Sequence, residues 1–228
     1  MNLKGLKEQL AYSCNILARE GHWDNILGHV SIRIPKQEKI LMKPHGFGFE
    51  EIRPNHVIVC NLEGKKIEGR YERHSEVFIH TEIYKARPDV NCVVHTHPPY
   101  ATVFGSLRLP LRPISHEGSI FHDRLPVFDY TTALIRSPEL GAEVAKALGQ
   151  CRAVLMKNHG STVVGASTQE ATLYAIFLEK AARIQILAMS AGDPSWSSDE
   201  EATLKFEQIY TPHRLGSMWQ YFVRRAKK

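Results

Sequence analysis

Cysteine is scarce in this sequence, and its four cysteines form no recognisable motif. No two of them make a Cys-x-x-Cys pair, which argues against a zinc ribbon, a redox pair or a disulfide framework. Cys60, Cys92 and Cys151 lie in apolar stretches, and Cys14 lies on an apolar helix face. Because buried, reduced thiols are typical of cytosolic proteins, we expect a cytoplasmic location.

Long hydrophobic runs are also missing. No stretch approaches the roughly 20 apolar residues that a membrane span needs, and residues 1–5 begin an amphipathic pattern rather than the apolar block of a signal peptide. We therefore expect no membrane partner. No linker, internal repeat or low-complexity segment divides the 228 residues, so residues 1–228 are expected to form a single domain.

A strong charge of one sign is the third absence. The 29 basic residues exceed the 24 acidic ones by only five, and the excess is spread along the chain apart from residues 224–228. Nucleic-acid-binding proteins concentrate basic residues on one face, so we expect no nucleic-acid partner. A mild positive field suits an anionic small-molecule substrate.

Hydrophobic periodicity predicts alternating helices and strands. Apolar residues at helical spacing predict helices over residues 3–17, 75–86, 138–148 and 168–189, with Ser75 as the N-cap of the second helix. Alternating or short apolar runs predict strands at residues 30–34, 39–42, 57–60, 66–67, 90–96, 153–156 and 162–165. Short connections favour an α/β fold with a mostly antiparallel central sheet flanked by helices. The proline-rich residues 107–130 are predicted to be irregular, and long loops of this kind are often functional.

Histidines follow two of the predicted strands. His95 and His97 stand at positions i and i+2 behind an apolar run, so both side chains point to the same face. His159 follows a second apolar run and precedes a glycine. The spacing of one His-x-His pair can arise by chance among 12 histidines, but the matching position of His159 favours metal binding. Three histidines with an open position are typical of a catalytic metal site.

Glu76 is the fourth candidate because it lies at the start of the helix that precedes the His95 strand. A carboxylate there can bind a metal ion or transfer a proton. It can also simply interact with the helix dipole, which is the plainer interpretation of an acidic residue in a first turn.

Several segments resemble the class II aldolase/adducin superfamily, and the resemblance covers nearly the whole chain. The segments are residues 28–33, 75–76, 86–90, 93–97 and 155–160. The resemblance implies an α/β/α fold with a central mixed, largely antiparallel sheet. It also implies a cyclic homotetramer with active sites at subunit interfaces.

Residue by residue, the resemblance makes His95, His97 and His159 the ligands of one divalent ion per protomer. Zinc is the usual ion, and manganese or cobalt are the alternatives. Glu76 matches the acid/base glutamate, which can also bind the metal.

The sequence departs from the sugar-phosphate members of this superfamily at three phosphate loops. Gly28-His29, His45-Gly46 and His74-Ser75 place imidazoles where those members usually have small amide or hydroxyl donors. Three imidazoles would crowd a phosphate nest. Together with Lys43, these loops give the predicted substrate-binding set of His29, Lys43, His45, Gly46, His74 and Ser75. Where aldolases place a catalytic tyrosine, residues 114–117 offer His116 as the candidate catalytic group.

These observations favour a metal-dependent carbon–carbon lyase that decarboxylates a non-phosphorylated hydroxy-carboxylate. The Gly-His-Val-Ser motif at residues 28–31 is similar to the branch acting on aromatic or pyridine hydroxy-acids. The first alternative is an aldolase or 4-epimerase for a sugar phosphate such as L-fuculose 1-phosphate. The second is a non-catalytic, adducin-like structural domain.

Overall fold

The computed structural model describes residues 2–107, 109–122 and 124–227. Its helices are α1 Leu3–Leu17, α2 Val77–Ala86, α3 Pro99–Ser106, α4 Pro138–Leu148, α5 Thr168–Ala191, α6 Asp199–Ile209 and α7 Pro212–Ala226. Its strands are β1 His29–Arg33, β2 Lys39–Met42, β3 Ile58–Asn61, β4 Lys66–Glu68, β5 Cys92–Thr96, β6 Val127–Phe128, β7 Ala153–Met156 and β8 Gly160–Gly165. Each helix and strand predicted from the sequence is present, with small differences at the ends.

All eight strands form one sheet in the order β4-β3-β2-β1-β5-β8-β7-β6. Within the described residues, β6 and β7 run parallel and the other neighbouring strands run antiparallel. The predicted mixed, largely antiparallel sheet is therefore confirmed.

Helices cover both faces of the sheet. Because side chains alternate along a strand, Val94 of β5 packs into the core shared with α1, α5 and α7. Its neighbour Val93 packs into the second core, shared with α2 and α4. This arrangement is the α/β/α layering that the resemblance implied.

The start of α2 differs from the prediction. The helix begins at Val77 with Glu76 as its N-cap residue, and neither Glu76 nor Ser75 caps it with a side chain. Ser75 is exposed and lies in the turn before the helix. The prediction that Ser75 is the N-cap was wrong, since the chain turns one residue later and directs the Glu76 side chain away from the helix end.

The predicted irregular segment contains two short elements. A 3-10 helix spans Glu117–Ile120, and Val127–Phe128 forms the edge strand β6. The remaining described residues between 107 and 130 have irregular structure. Among the residues that the structure describes, no helix has the length and apolar character required to cross a bilayer.

Candidate metal centre

Three strands bring the histidines together near the middle of the sheet. His95 belongs to β5, and His97 is the first residue after Thr96, where that strand ends. His159 lies in the tight turn between β7 and β8, next to Asn158 with a φ of 54°. Because β8 pairs antiparallel with β5, this turn comes to lie beside the end of β5.

One nitrogen from each of His95, His97 and His159 lies within 4.8 Å of the others. The Nε2 atoms of His95 and His97 are 3.0 Å apart. Two nitrogens bound at about 2.05 Å to one tetrahedral zinc ion are roughly 3.3 Å apart, which is close to the observed spacing.

The hydrogen bonds of His97 decide which of its nitrogens is free. Its Nδ1 atom lies 2.9 Å from the Asp24 carboxylate, which accepts hydrogen bonds but does not donate them when ionised. The proton of the neutral ring is therefore on Nδ1, and Nε2 carries a lone pair.

His95 is held in a similar way. Thr162 Oγ1 donates to the Met156 sulfur and lies 3.0 Å from His95 Nδ1, so Nδ1 of His95 donates to Thr162. The Nε2 atoms of His95 and His97 thus present lone pairs to each other across 3.0 Å. This contact is repulsive unless a cation lies between them, and the donor set accordingly fits a divalent ion.

Gly160 allows β8 to begin directly beneath His97. A Cβ atom at Gly160 would lie 2.4 Å from the Thr96 carbonyl oxygen and 2.7 Å from Cδ2 of His97. Any larger residue would therefore displace the His97 ring or the end of β5, which explains the glycine after His159.

Glu76 faces the histidines from the start of α2. Its Oε1 accepts the Ile135 backbone N–H at 2.8 Å, and its Oε2 lies 3.7 Å from His159 Nε2 and 3.9 Å from His29 Nε2. Burial alone would raise the pKa of Glu76, but the nearby imidazoles of His159 and His95 and the hydrogen bond from the Ile135 N–H together lower it to about 2. Glu76 is therefore an ionised carboxylate at neutral pH, free to bind a cation or to accept a proton.

His29 extends the cluster along the sheet. It is the register partner of His95 in β1, and the two rings stack at 4.7 Å with an interplanar angle of 27°. His29, Glu76 and His95 form a second group whose ligand atoms lie within 4.8 Å of one another. Two overlapping donor sets thus share His95.

A row of imidazoles continues away from the candidate metal centre. The rings of His29 and His74 lie 4.6 Å apart, and those of His74 and His45 lie 5.3 Å apart. His29 and His74 are buried, whereas His45 is exposed. The histidines at the three segments that correspond to phosphate loops therefore form one wall beside the candidate metal centre.

Lys43 lies behind this wall rather than on its surface. The residue is fully buried, and its amine donates to the Ile26 carbonyl at 3.2 Å and lies 3.4 Å from His74 Nε2. Burial lowers the pKa of Lys43 to about 8.

The remaining predicted residues are exposed rather than buried in the cluster. Gly46 and Ser75 are exposed, and Gly46 follows His45 in a turn. His116 is exposed at the start of the 3-10 helix, where its carbonyl oxygen accepts hydrogen bonds from Ser119. No hydrogen bond within the described residues joins the His116 ring to Glu76 or to the three histidines.

A cleft of about 690 Å³ opens on the His97 side of the cluster. Its lining includes Asp24 and His97, the aromatic residues Trp23 and Tyr100, and the cation Arg183. The volume lies in the usual range for small-molecule sites.

Sequence reasoning missed several residues that organise this cluster, among them Asp24, Ser31, His80 and Tyr84. Three of these four carried a detectable signal. His80 and Tyr84 follow Glu76 at i+4 and i+8, which places them on the same helix face. Ser31 follows His29 at i+2 and therefore shares its face of β1. Asp24 lies in a loop and gave no such signal.

Comparison with known proteins gives the family. Residues 8–186 match the model described as "Class II Aldolase and Adducin N-terminal domain". The match covers most of the chain, so the protein belongs to the class II aldolase and adducin family.

Individual relatives include both decarboxylases and aldolases. The chain is 33% identical over 202 residues to a 3,4-dihydroxyphthalate decarboxylase of Arthrobacter keyseri, covering 82% of this chain and 80% of the relative. It is 31% identical over 215 residues to the decarboxylase NovR of Streptomyces niveus, covering 92% and 79%. The solved L-fuculose 1-phosphate aldolase of Glaciozyma antarctica PI12 superposes with a TM-score of 0.88 at 26% identity, covering 98% of this chain and 89% of that one.

Proposed function

We propose that the protein is a metal-dependent carbon–carbon lyase that releases CO₂ from a non-phosphorylated aromatic or pyridine hydroxy-carboxylate. The observation that carries this proposal is the wall formed by His29, His74 and His45 beside the metal ligands. A flat ring can lie against such a wall. The two relatives named as decarboxylases also support decarboxylation.

The proposed cofactor is one Zn²⁺ ion per protomer, held by His95, His97 and His159, with Glu76 as a fourth ligand when no substrate is present. Mn²⁺ and Co²⁺ accept the same imidazole and carboxylate donors and are the alternatives. A divalent ion in this position supplies Lewis acidity, which stabilises negative charge as it develops on substrate oxygens.

Glu76 is proposed to move the proton. Its carboxylate accepts the proton of a substrate hydroxyl and then delivers it to the carbon from which CO₂ departs. The broken carbon–carbon bond leaves its electron pair on that carbon, where the proton is taken up. A proton from solvent then restores the hydroxyl when the product leaves. His116 is proposed as a further catalytic group, which requires it to approach the cleft from the 3-10 helix.

The substrate carboxylate is proposed to lie near His74 and His45, with Gly46 and Ser75 at the outer edge. Lys43 adds positive charge behind His74 at 3.4 Å, so it would favour an anion even without direct contact.

A sugar-phosphate aldolase or 4-epimerase is the second candidate. The observation in its favour is the close superposition with the fuculose-phosphate aldolase over nearly the whole chain. A non-catalytic, adducin-like role has less support, because a scaffold does not need two convergent lone-pair nitrogens beside a third imidazole and an ionised buried carboxylate.

We also propose a cytoplasmic homotetramer with active sites at subunit interfaces. Light scattering on the purified protein should then give about four times the chain mass of 25.9 kDa. A fully active monomer would contradict the interfacial site.

The deciding experiment for the reaction is a substrate panel assayed with zinc-loaded protein. Hydroxylated benzoic, phthalic and pyridine acids are tested for CO₂ release beside fuculose and ribulose phosphates. Turnover of an acid with weak or no cleavage of the sugar phosphates is the expected result. Turnover of the sugar phosphates alone would replace the proposal with the second candidate.

A further inference from the structure

Three buried side chains stand in a line behind His29. His29 Nδ1 lies 2.6 Å from His80 Nε2, His80 Nδ1 lies 2.6 Å from Ser31 Oγ, and Ser31 Oγ lies 2.9 Å from the Tyr84 hydroxyl. All four residues are at most 1% exposed. Water therefore has no access to these hydrogen bonds, and the protein alone determines their direction.

At the Tyr84 end of the line, a backbone carbonyl fixes the direction of the hydrogen bonds. The Tyr84 hydroxyl donates to the Ser31 carbonyl oxygen at 3.0 Å, and that oxygen can only accept. Since Tyr84 has a single hydroxyl proton, the Ser31 hydroxyl must be the donor in its contact with Tyr84. His80 Nδ1–H then donates to Ser31 Oγ.

The direction of these hydrogen bonds also determines which nitrogens of His80 and His29 carry protons. Both nitrogens of His80 are engaged in the line, so with Nδ1 donating and Nε2 accepting it carries one proton. His29 Nε2 lies 3.9 Å from Glu76 Oε2, too far for a hydrogen bond that would hold a proton there. With its proton on Nδ1, His80 accepts at Nε2 from His29 Nδ1–H, and His29 Nε2 is left with a lone pair.

The opposite direction makes fewer hydrogen bonds. If Tyr84 donated to Ser31 Oγ instead, Ser31 would donate to His80 and His80 to His29, which makes three bonds rather than four. The Tyr84 contact with the Ser31 carbonyl would be lost in a buried environment, where an unmade hydrogen bond is unfavourable. The geometry favours the first direction.

We propose that Tyr84, Ser31 and His80 hold His29 as its Nδ1–H tautomer, so that the His29 Nε2 lone pair selects a hydroxyl-bearing substrate and disfavours a phosphate. His29 Nε2 lies 3.9 Å from Glu76 Oε2, at the position where a substrate hydroxyl would meet both acceptors. A phosphate monoester is mainly a dianion above its second pKa of about 6, so its terminal oxygens need donors and meet only lone pairs there. This inference rests on the proposed function and names the group through which the site distinguishes the two candidate substrate classes.

Neutron diffraction on crystals of the deuterium-exchanged protein tests the tautomer directly. The expected result is a deuteron on Nδ1 of both His29 and His80, with none on His29 Nε2. A deuteron on His29 Nε2 would overturn the inference. Because this readout needs no turnover, it remains decisive even if the proposed reaction is wrong.

Tyr84→Phe removes the hydroxyl that sets the direction while keeping the ring beneath Arg33. The Ser31 hydroxyl then has His80 Nδ1 as its remaining acceptor in the line. The direction of the hydrogen bonds should therefore reverse, so that His80 Nε2–H donates to His29 Nδ1 and the proton of His29 moves to Nε2. The matched control is Tyr210→Phe, which removes the hydroxyl of another buried tyrosine in the opposite core.

Calorimetric titration of the zinc-loaded variants with phenyl phosphate at about pH 8, where the monoester is a dianion without a hydroxyl, provides the second readout. Gaining one donor to a charged ligand should tighten phosphate binding by about tenfold or more in Tyr84→Phe, whereas Tyr210→Phe should match the wild type. His29→Asn offers an amide donor whichever way the buried hydrogen bonds are directed, so this variant should also bind phosphate more tightly. Unchanged or weaker phosphate binding in both Tyr84→Phe and His29→Asn would overturn the inference.

Discussion

At the scale of single residues, hydrogen bonds to one nitrogen of each imidazole determine what the other nitrogen can do. Asp24 occupies Nδ1 of His97, and Thr162 occupies Nδ1 of His95. Both rings consequently direct Nε2 lone pairs into the candidate metal centre. Partners of this kind orient metal ligands and increase their basicity.

Asp24→Asn should weaken zinc binding by about 10–100-fold, as is usual when the partner of a ligand histidine is changed. The amide N–H of asparagine can donate to His97 Nδ1 and so stabilise the tautomer with a protonated Nε2. Competition with a chromophoric chelator measures the affinity. The control is Glu143→Gln, which removes a carboxylate from a surface ion pair with Lys146; equal affinities in the two variants would contradict the role given to Asp24.

Glu76→Gln should retain zinc through the three histidines while kcat falls by roughly 10²-fold or more, the usual effect of losing a general acid/base. The amide keeps the shape and the contact with Ile135 N–H but cannot accept the substrate proton. Metal content and kcat are measured on the same sample. A normal kcat at full metal content would show that Glu76 does not transfer the proton.

The sequence alone allowed the three clustered histidines to be predicted as neighbours, because His95 and His97 have strand spacing and His159 follows a second strand; that they bind a metal stays a prediction. Asp24 could not be predicted in this way. Asp24 lies in a loop and forms an isolated β-bridge with Ile26. The neighbouring Asn25 has a φ of 49°. Which side chain such a loop presents depends on the folded backbone rather than on a periodic pattern.

At the scale of helices and strands, the site depends on the register of two paired strands and on the residue at which one helix begins. The pairing of β1 with β5 places His29 opposite His95, and α2 begins beside them with Glu76. Periodicity predicted these elements well, since each has one clearly apolar face. The wrong N-cap at Ser75 arose because Glu76 Oε1 bonds Ile135 N–H instead, a contact 59 residues away along the chain.

Gly141→Ala should destabilise the protein by about 1–3 kcal/mol, the usual effect of overpacking. A Cβ atom at Gly141 would lie 2.4 Å from the Phe78 carbonyl oxygen, so α4 would be pushed away from the first turn of α2. Urea unfolding measures the free energy. Gly216→Ala in α7 is the matched control, because its Cβ meets nothing within 4 Å and alanine favours a helix. Similar stability changes in the two variants would contradict the close packing of α2 and α4.

At the scale of the whole molecule, one sheet joins strands from both halves of the chain. We propose on this basis that residues 1–228 form a single cooperative domain, which should unfold in one transition. The buried histidines give this domain a characteristic dependence on pH. Burial lowers the pKa of His22 and of His80 from 6.5 to about 3.

The metal-free protein should lose stability as the pH falls below about 6.5. In the unfolded chain these two histidines take up protons below that pH, whereas in the folded chain they stay neutral until about pH 3. Acidification therefore favours the unfolded state, by about 2 kcal/mol for each histidine between pH 7 and pH 5.

The variant His22→Gln isolates one of these contributions. The slope of its unfolding free energy against pH should correspond to about one proton fewer than in the wild type. His213→Gln, at an exposed position, should keep the wild-type slope. If His22→Gln also keeps the full slope, His22 is not held neutral by burial.

The central claim is that one divalent ion, held by the histidine cluster, is required for decarboxylation. The most direct measurement is CO₂ release by the metal-stripped protein, with the best acid of the substrate panel, as Zn²⁺ is added in steps. Without metal we expect no turnover, and the rate of CO₂ release should rise linearly until one ion per chain has been added. CO₂ release that persists in the stripped protein, or that does not depend on added metal, would contradict it.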